Sequence, residues 1–204
     1  MIRTHQLLFS KGAWQESPSL HGAAASACQL ALVFGSRDAI GRGGLSDELR
    51  MKFPEARIVF ASTAGEIAGD RVMDDTIVAT GISFERTTVR STVTNIRDHN
   101  NSANCGDALM RSLPAKDLSA VLLFSDGSMV NGSELIAGMN RANDTRVPIT
   151  GGLAGDGQRF ERTLVGLDGT IDAGNVVVVG LYGEHVKVGH GSAGGWEEFG
   201  PQRI

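Results

Sequence analysis

Two short runs decide the fold: Gln29-Leu30-Ala31-Leu32-Val33-Phe34-Gly35 and Ile58-Val59-Phe60-Ala61-Ser62. Each is apolar almost without interruption and short enough to be a strand buried on both faces. Between them, Leu45 to Phe53 carries apolar residues at helical spacing, with Ser46 or Asp47 as the expected cap and Pro54 as the stop. Strand, helix and strand in that order predict a parallel, right-handed crossover. The loop Thr63 to Gly69 follows, and Thr76 to Phe84 and Thr87 to Thr94 read as two strands joined by a tight connection. A helix is expected over Asn101 to Leu113, closed by Pro114.

The plan then begins again. Ala120 to Phe124 is an apolar strand, Ser133 to Arg141 a helix with Asn131 at its mouth, and Val147 to Thr150 a strand entering Gly151-Gly152-Leu153-Ala154-Gly155-Asp156. Val176 to Leu181 and Val186 to His190 read as a closing strand pair. Phe34 and Phe124 lie 90 positions apart, as do Ala64-Gly65-Glu66 and Ala154-Gly155-Asp156. Gly81 and Gly180 lie 99 apart, and the nine additional residues match an extra hairpin over Thr163 to Ile171, turning at Asp168-Gly169. A shared motif inside a shared element order points to internal duplication. The expected fold is α/β, an α+β layered sandwich of two pseudo-symmetric β-α-β-β halves with mixed sheets, about residues 29–97 and 120–192, the second half carrying the extra hairpin.

Composition narrows the function. The 204 residues carry 19 basic and 23 acidic side chains, for a net charge of −4 with no basic block, which argues against a nucleic-acid partner. No apolar run approaches the ~20 residues of a membrane span, and Met1 to His5 leads into a strand-like stretch rather than a secretory signal. Cys28 and Cys105 lack metal or redox spacing and fit buried thiols, so a cytoplasmic location is expected. With 27 glycines and few aromatics, backbone rather than side chain is expected to approach a ligand.

The strongest chemical signal is the pair of small-residue loops, each following the second strand of its half. Ser62, Thr63, Gly65 and Glu66 in one, and Gly152, Gly155 and Asp156 in the other, are candidate ligand contacts. Loops at strand carboxyl ends commonly form the ligand crevice. Glycine amides suit a carboxylate, while Glu66 and Asp156 suit an ammonium, so an amino-acid-like zwitterion would use both. The competing reading is structural, with each acid satisfying turn amides. Asp126, in Ser125-Asp126-Gly127, and Asn131 at the helix entrance are further candidates, with capping as their competing role.

No catalytic signature is complete, and no enzymatic activity is expected. Gly151 to Gly157 is followed by a strand pattern rather than a helix, against a dinucleotide fingerprint, and no phosphate-loop motif exists. His190-Gly191-Ser192-Ala193-Gly194 has His where a nucleophile elbow needs its first Gly. A hydrolase using Ser125 or Ser192 with a histidine is an alternative. His5, His21, His99, His185 and His190 show no metal-ligand spacing, and neither a metal nor a cofactor is expected from them. Trp196 and Phe199 need a surface to pack on, in a second domain, on this one, or in a protein-interaction module.

Leu32-Val33-Phe34-Gly35-Ser36, Phe53-Pro54, Ser62 to Ile67, Leu123 to Gly127 with Asn131, and Gly151 to Asp156 together resemble the N-terminal domain of the FIST family. Gly195-Trp196 through Gly200-Pro201 looks like the junction where that family enters its C-terminal domain. The resemblance runs from about Gln29 onward. It implies a bacterial intracellular sensory domain that partners its own C-terminal domain and feeds a histidine kinase or other signalling protein. It also implies a small ligand, amino acids among the proposals. Some members resemble haem-binding nitric-oxide sensors, which makes haem an alternative cofactor. The resemblance carries over no catalytic residue.

Overall fold

The computed structural model describes residues 1–17, 22–189 and 191. His21, His190, Ser192, Trp196 and Phe199 lie outside the described residues. The strands are β1 (Ile2–Ser10), β2 (Ala13–Ser17), β3 (Leu30–Gly35), β4 (Arg57–Ser62), β5 (Glu66–Ala68), β6 (Arg71–Met73), β7 (Ile77–Phe84), β8 (Thr88–Asn95), β9 (Leu118–Ser125), β10 (Ile149–Leu153), β11 (Val165–Leu167), β12 (Thr170–Asp172) and β13 (Asn175–Tyr182). The helices are α1 (Arg37–Ile40), α2 (Leu45–Lys52), α3 (Ser102–Ser112) and α4 (Gly132–Ala142).

Seven strands form one mixed sheet in the order β12-β11-β4-β3-β7-β1-β2, four form a second in the order β10-β9-β13-β8, and β5 and β6 make a separate ribbon. Side-chain alternation explains the layering. On β3, Ala31 and Val33 pack with Leu45, Leu49 and Phe53 of the α2 segment, while Leu30 faces Val177, Val179 and Leu181 of β13. On β13, Val176 and Val178 pack instead with Leu109 of α3 and with Leu135 and Met139 of α4. Both central strands are buried on two faces, which is why they read as unbroken apolar runs. The result is four layers: helices, sheet, sheet, helices. α3 and α4 approach so closely that a Cβ on Gly106 would collide with the Leu135 carbonyl, and one on Gly138 with that of Ala103.

Each half contributes the same three-strand unit. β3 pairs parallel with β4 and antiparallel with β7, and β9 pairs parallel with β10 and antiparallel with β13. Gly81 opposes Ala31, and Gly180 opposes Val121, in matching registers. The equivalent strands β3 and β9 bring Phe34 and Phe124 together, their ring centroids 6.2 Å apart.

The structure departs from the sequence reading in five places. α2 starts at Leu45 behind Gly44, which has no side chain to cap it, so Ser46 and Asp47 lie inside the first turn rather than at the cap. β7 and β8 are consecutive but unpaired: β7 bonds to β1, and β8 crosses to pair with β13 in the other sheet. Val186 to Gly189 forms no strand. Both edges of β13 are already taken by β9 and β8, so Val186 is buried between the sheets without a ladder. The expected loop Thr63 to Gly69 enters the β5–β6 ribbon. Finally, Thr63 N donates to Gly35 O whereas Ala154 N donates to Ser125 O, so the later half runs one residue longer here. The equivalent offset is 91, and the two Ala-Gly-acid motifs stand one ladder position out of register. At Asp168-Gly169 both residues have positive φ (51° and 99°), as a two-residue turn between β11 and β12 requires.

Candidate functional site

The loops after β4 and β10 meet. Gly155 N donates to Ser62 O at 2.8 Å, and the buried Ser62 hydroxyl donates to Gly155 O at 2.7 Å while accepting from Leu164 N at 2.9 Å. Beside this stitch lies a crevice of about 170 Å³ lined by Thr63, Gly65, Glu66 and Asp156, and also by Ser36, Ala64, Asp74, Asp75, Gly157, Gln158 and Arg159. It sits beyond the carboxyl ends of β3 and β4, where a parallel pair opens toward ligands. Its volume is below the ~300 Å³ at which sites for drug-sized molecules begin.

The acids of the crevice divide by commitment. Glu66 is buried and accepts from Thr63 Oγ1 (2.7 Å), Thr76 N (3.1 Å) and Thr76 Oγ1 (2.9 Å), which braces the ribbon against the start of β7. Asp156, also buried, accepts from Arg37 Nη1 (3.0 Å), Arg159 Nε (3.1 Å), Glu161 N (3.1 Å) and Arg162 N (3.1 Å). Burial pushes its carboxyl upward, but the Arg162 and Glu161 amides and the Arg159 and Arg37 charges outweigh that, and its pKa lies below the ordinary value. Asp74 and Asp75 are exposed and make no hydrogen bond or ion pair with a described residue. Both were missed in the sequence. An acidic pair before a strand is a visible signal, but only the β5–β6 ribbon carries it to the crevice mouth.

The remaining candidates lie apart. Asp126 is fully buried and accepts five hydrogen bonds, from Ser128 N and Oγ, Met129 N, Thr163 Oγ1 and Gly174 N, at 2.6 to 3.0 Å. Burial raises its pKa and these donors more than reverse the effect. Asn131 caps α4 through Glu134 N, and its own amide donates to Ser102 Oγ. Gly152 lines a different cavity, of about 400 Å³, with Leu135, Ile136 and Ile149 between α4 and β10.

Ser125 is buried and donates to Asp126 O. Of the described histidines, His5 contacts Ala23 O, His99 contacts Thr94 Oγ1, and His185 is half-exposed beside Glu184. Among the described residues no group of three or more His, Cys, Asp or Glu side chains is placed to hold a metal ion. Both cysteines are buried and outside any disulfide; burial, then Asp98, pushes the Cys105 thiol up to about 11, which favours the neutral thiol at neutral pH.

Of the six described non-glycine residues with positive φ, Asp75 lines the crevice and Phe160 follows directly on the lining residues Gly157, Gln158 and Arg159. Asp75 (55°) is of a type that tolerates the left-handed region. Phe160 (53°) is not, and the conformation costs about 1–2 kcal/mol.

The class defined by this architecture is a mixed α/β domain whose two similar halves meet at a small polar crevice. Residues 29–204 match the FIST N domain, and the chain belongs to the FIST family, whose domains serve in sensing and signal transduction. No curated protein matches it in sequence. No helix among the described residues is long and apolar enough to cross a membrane.

Proposed function

We propose that this domain senses a small zwitterionic ligand, an amino acid, by binding it without chemical change in the crevice between Thr63–Glu66 and Asp156–Arg159. One observation carries the reading: at a crevice where Glu66 and Asp156 are held by internal partners, Asp74 and Asp75 make no such bond among the described residues. With four acids against Arg159 alone, the lining favours a cationic group. The ligand's ammonium meets Asp74 and Asp75, and its carboxylate meets amides of the glycine-containing walls, where Gly65 and Gly157 have positive φ. Glu66, Asp156 and Ser62 shape the site rather than touch the ligand. The internal hydrogen bond of Ser125 supports binding over hydrolysis.

Family membership supports a place in bacterial signal transduction, upstream of a histidine kinase or other signalling protein, and two buried thiols outside any disulfide are compatible with a cytoplasmic setting. The test is a thermal-shift screen of the proteinogenic amino acids on the protein and on the double variant Asp74→Asn/Asp75→Asn. A ligand at a hundred times its Kd stabilises by about 2.7 kcal/mol. Loss of charge-assisted hydrogen bonds weakens binding tenfold or more in the variant. Equal shifts in both proteins would remove the crevice assignment.

A further inference from the structure

The wall of the crevice formed by Gly157, Gln158 and Arg159 continues directly into Phe160. Phe160 is 89% exposed, the highest value among the described exposed large hydrophobic residues. It also holds a left-handed backbone, an outlier for a bulky side chain. Exposure and strain would each be lost if the loop relaxed, yet the loop is clamped on both sides of this residue. Asp156 O accepts from Arg159 N before it, and the Asp156 carboxylate accepts from Glu161 N and Arg162 N after it. The Arg159 guanidinium is pinned between Asp156 and Asp38. A buried carboxylate therefore fixes a turn in which the residue next to the cavity lining combines a strained backbone with a solvent-facing aromatic ring. Strain of this kind persists where the surroundings over-determine it, and it concentrates at ligand clamps.

We propose that Phe160 is a specificity-determining residue of the crevice: its ring packs over the bound ligand and presents its face to a cationic group, an ammonium or a guanidinium. The inference rests on the crevice reading above and adds the ligand's class. Carboxylates at the mouth and an aromatic face at the rim attract the same positive charge, one by Coulomb interaction and the other through the ring quadrupole. The backbone that carries the ring is clamped before the ligand arrives, so less of it has to be ordered on binding.

The experiment measures melting without ligand and calorimetric titration with the proteinogenic L-amino acids, L-lysine and L-arginine included, on the unmodified protein and on Phe160→Gly, Phe160→Leu and Phe160→Tyr. Glycine adopts positive φ freely, so Phe160→Gly melts no lower than the unmodified protein. Phe160→Gly and Phe160→Leu bind about tenfold more weakly, while Phe160→Tyr, which keeps a π face, binds normally. A Phe160→Gly melting point several degrees lower would make the ring structural and overturn the proposal, as would undiminished binding by the glycine and leucine variants. If those variants bind normally while Asp74→Asn/Asp75→Asn does not, the crevice stands and Phe160 falls. If no amino acid binds the unmodified protein, the crevice reading fails and the inference goes with it.

Discussion

Glu66 and Asp156 end the same Ala-Gly-acid motif in the two halves, and both are buried at one crevice, yet they are neutralised in different ways. Glu66 takes its donors from nearby in the chain, two threonine hydroxyls and one amide, with no cation among the described residues. Asp156 gathers two guanidinium groups and two amides, one of the cations arriving from Arg37, 119 positions away. The first acid braces a local ribbon; the second ties the turn after β10 to α1 of the other half. The one-residue register difference accompanies this divergence, since it places the two acids at different points of otherwise equivalent loops. A shared motif thus sets burial of an acid, while its partners set its work.

The contrast orders the expected effects of mutation. Asp126 is the reference for a buried acid with donors only. Asp126→Ala strands three main-chain amides and two hydroxyls and costs about 3–5 kcal/mol in urea denaturation. Asp156→Asn leaves Arg37 and Arg159 short of a counter-charge and costs about 2–3 kcal/mol, a loss that shrinks in high salt because Arg159 is partly exposed. Glu66→Gln keeps an acceptor and removes no ion pair, so it costs about 1 kcal/mol with no salt dependence. Equal costs for these last two variants at low salt would break the comparison.

The smallest effect is in the acid limb. The folded-state pKa of Asp156 lies below its ordinary value of 3.8, so its stabilisation is complete above that value and is lost as pH falls through the folded pKa. Asp156→Asn should flatten the stability curve below pH 3.8 and leave its shape above unchanged. A variant curve parallel to the unmodified one throughout would mean that Asp156 does not titrate with folding. Asp126 contributes in the same direction, so the curve keeps part of its slope.

Much of this was legible in the sequence. The unbroken apolar runs of β3, β4, β9 and β13 announce strands covered on both faces, and Asp168-Gly169 announces its hairpin. Strand partners were not legible. Thr87 to Thr94 has the pattern of a strand whether it pairs with β7 or with β13, because alternation records burial and not the neighbour. At the site, Ser62, Thr63, Gly65, Glu66, Gly155 and Asp156 do come together, since loops following parallel strands share one end of the sheet. Gly152 lies apart from them because β10 extends through it, placing it on the far side toward α4. Asp74, Asp75 and Phe160 were not legible because the roles proposed for them depend on tertiary placement and, for Phe160, on a backbone angle that composition does not encode.

Where the ligand sits is read most directly from a map of amide ¹H–¹⁵N shifts as an amino acid found by the thermal screen is titrated into the labelled protein. Binding in the crevice gives the largest changes at Gly65, Asp74, Asp75, Gly157 and Gln158, with Gly152 and Ile136 unmoved. Changes centred on Gly152, Ile136 and Leu135 would place the ligand in the cavity between α4 and β10 and contradict the crevice.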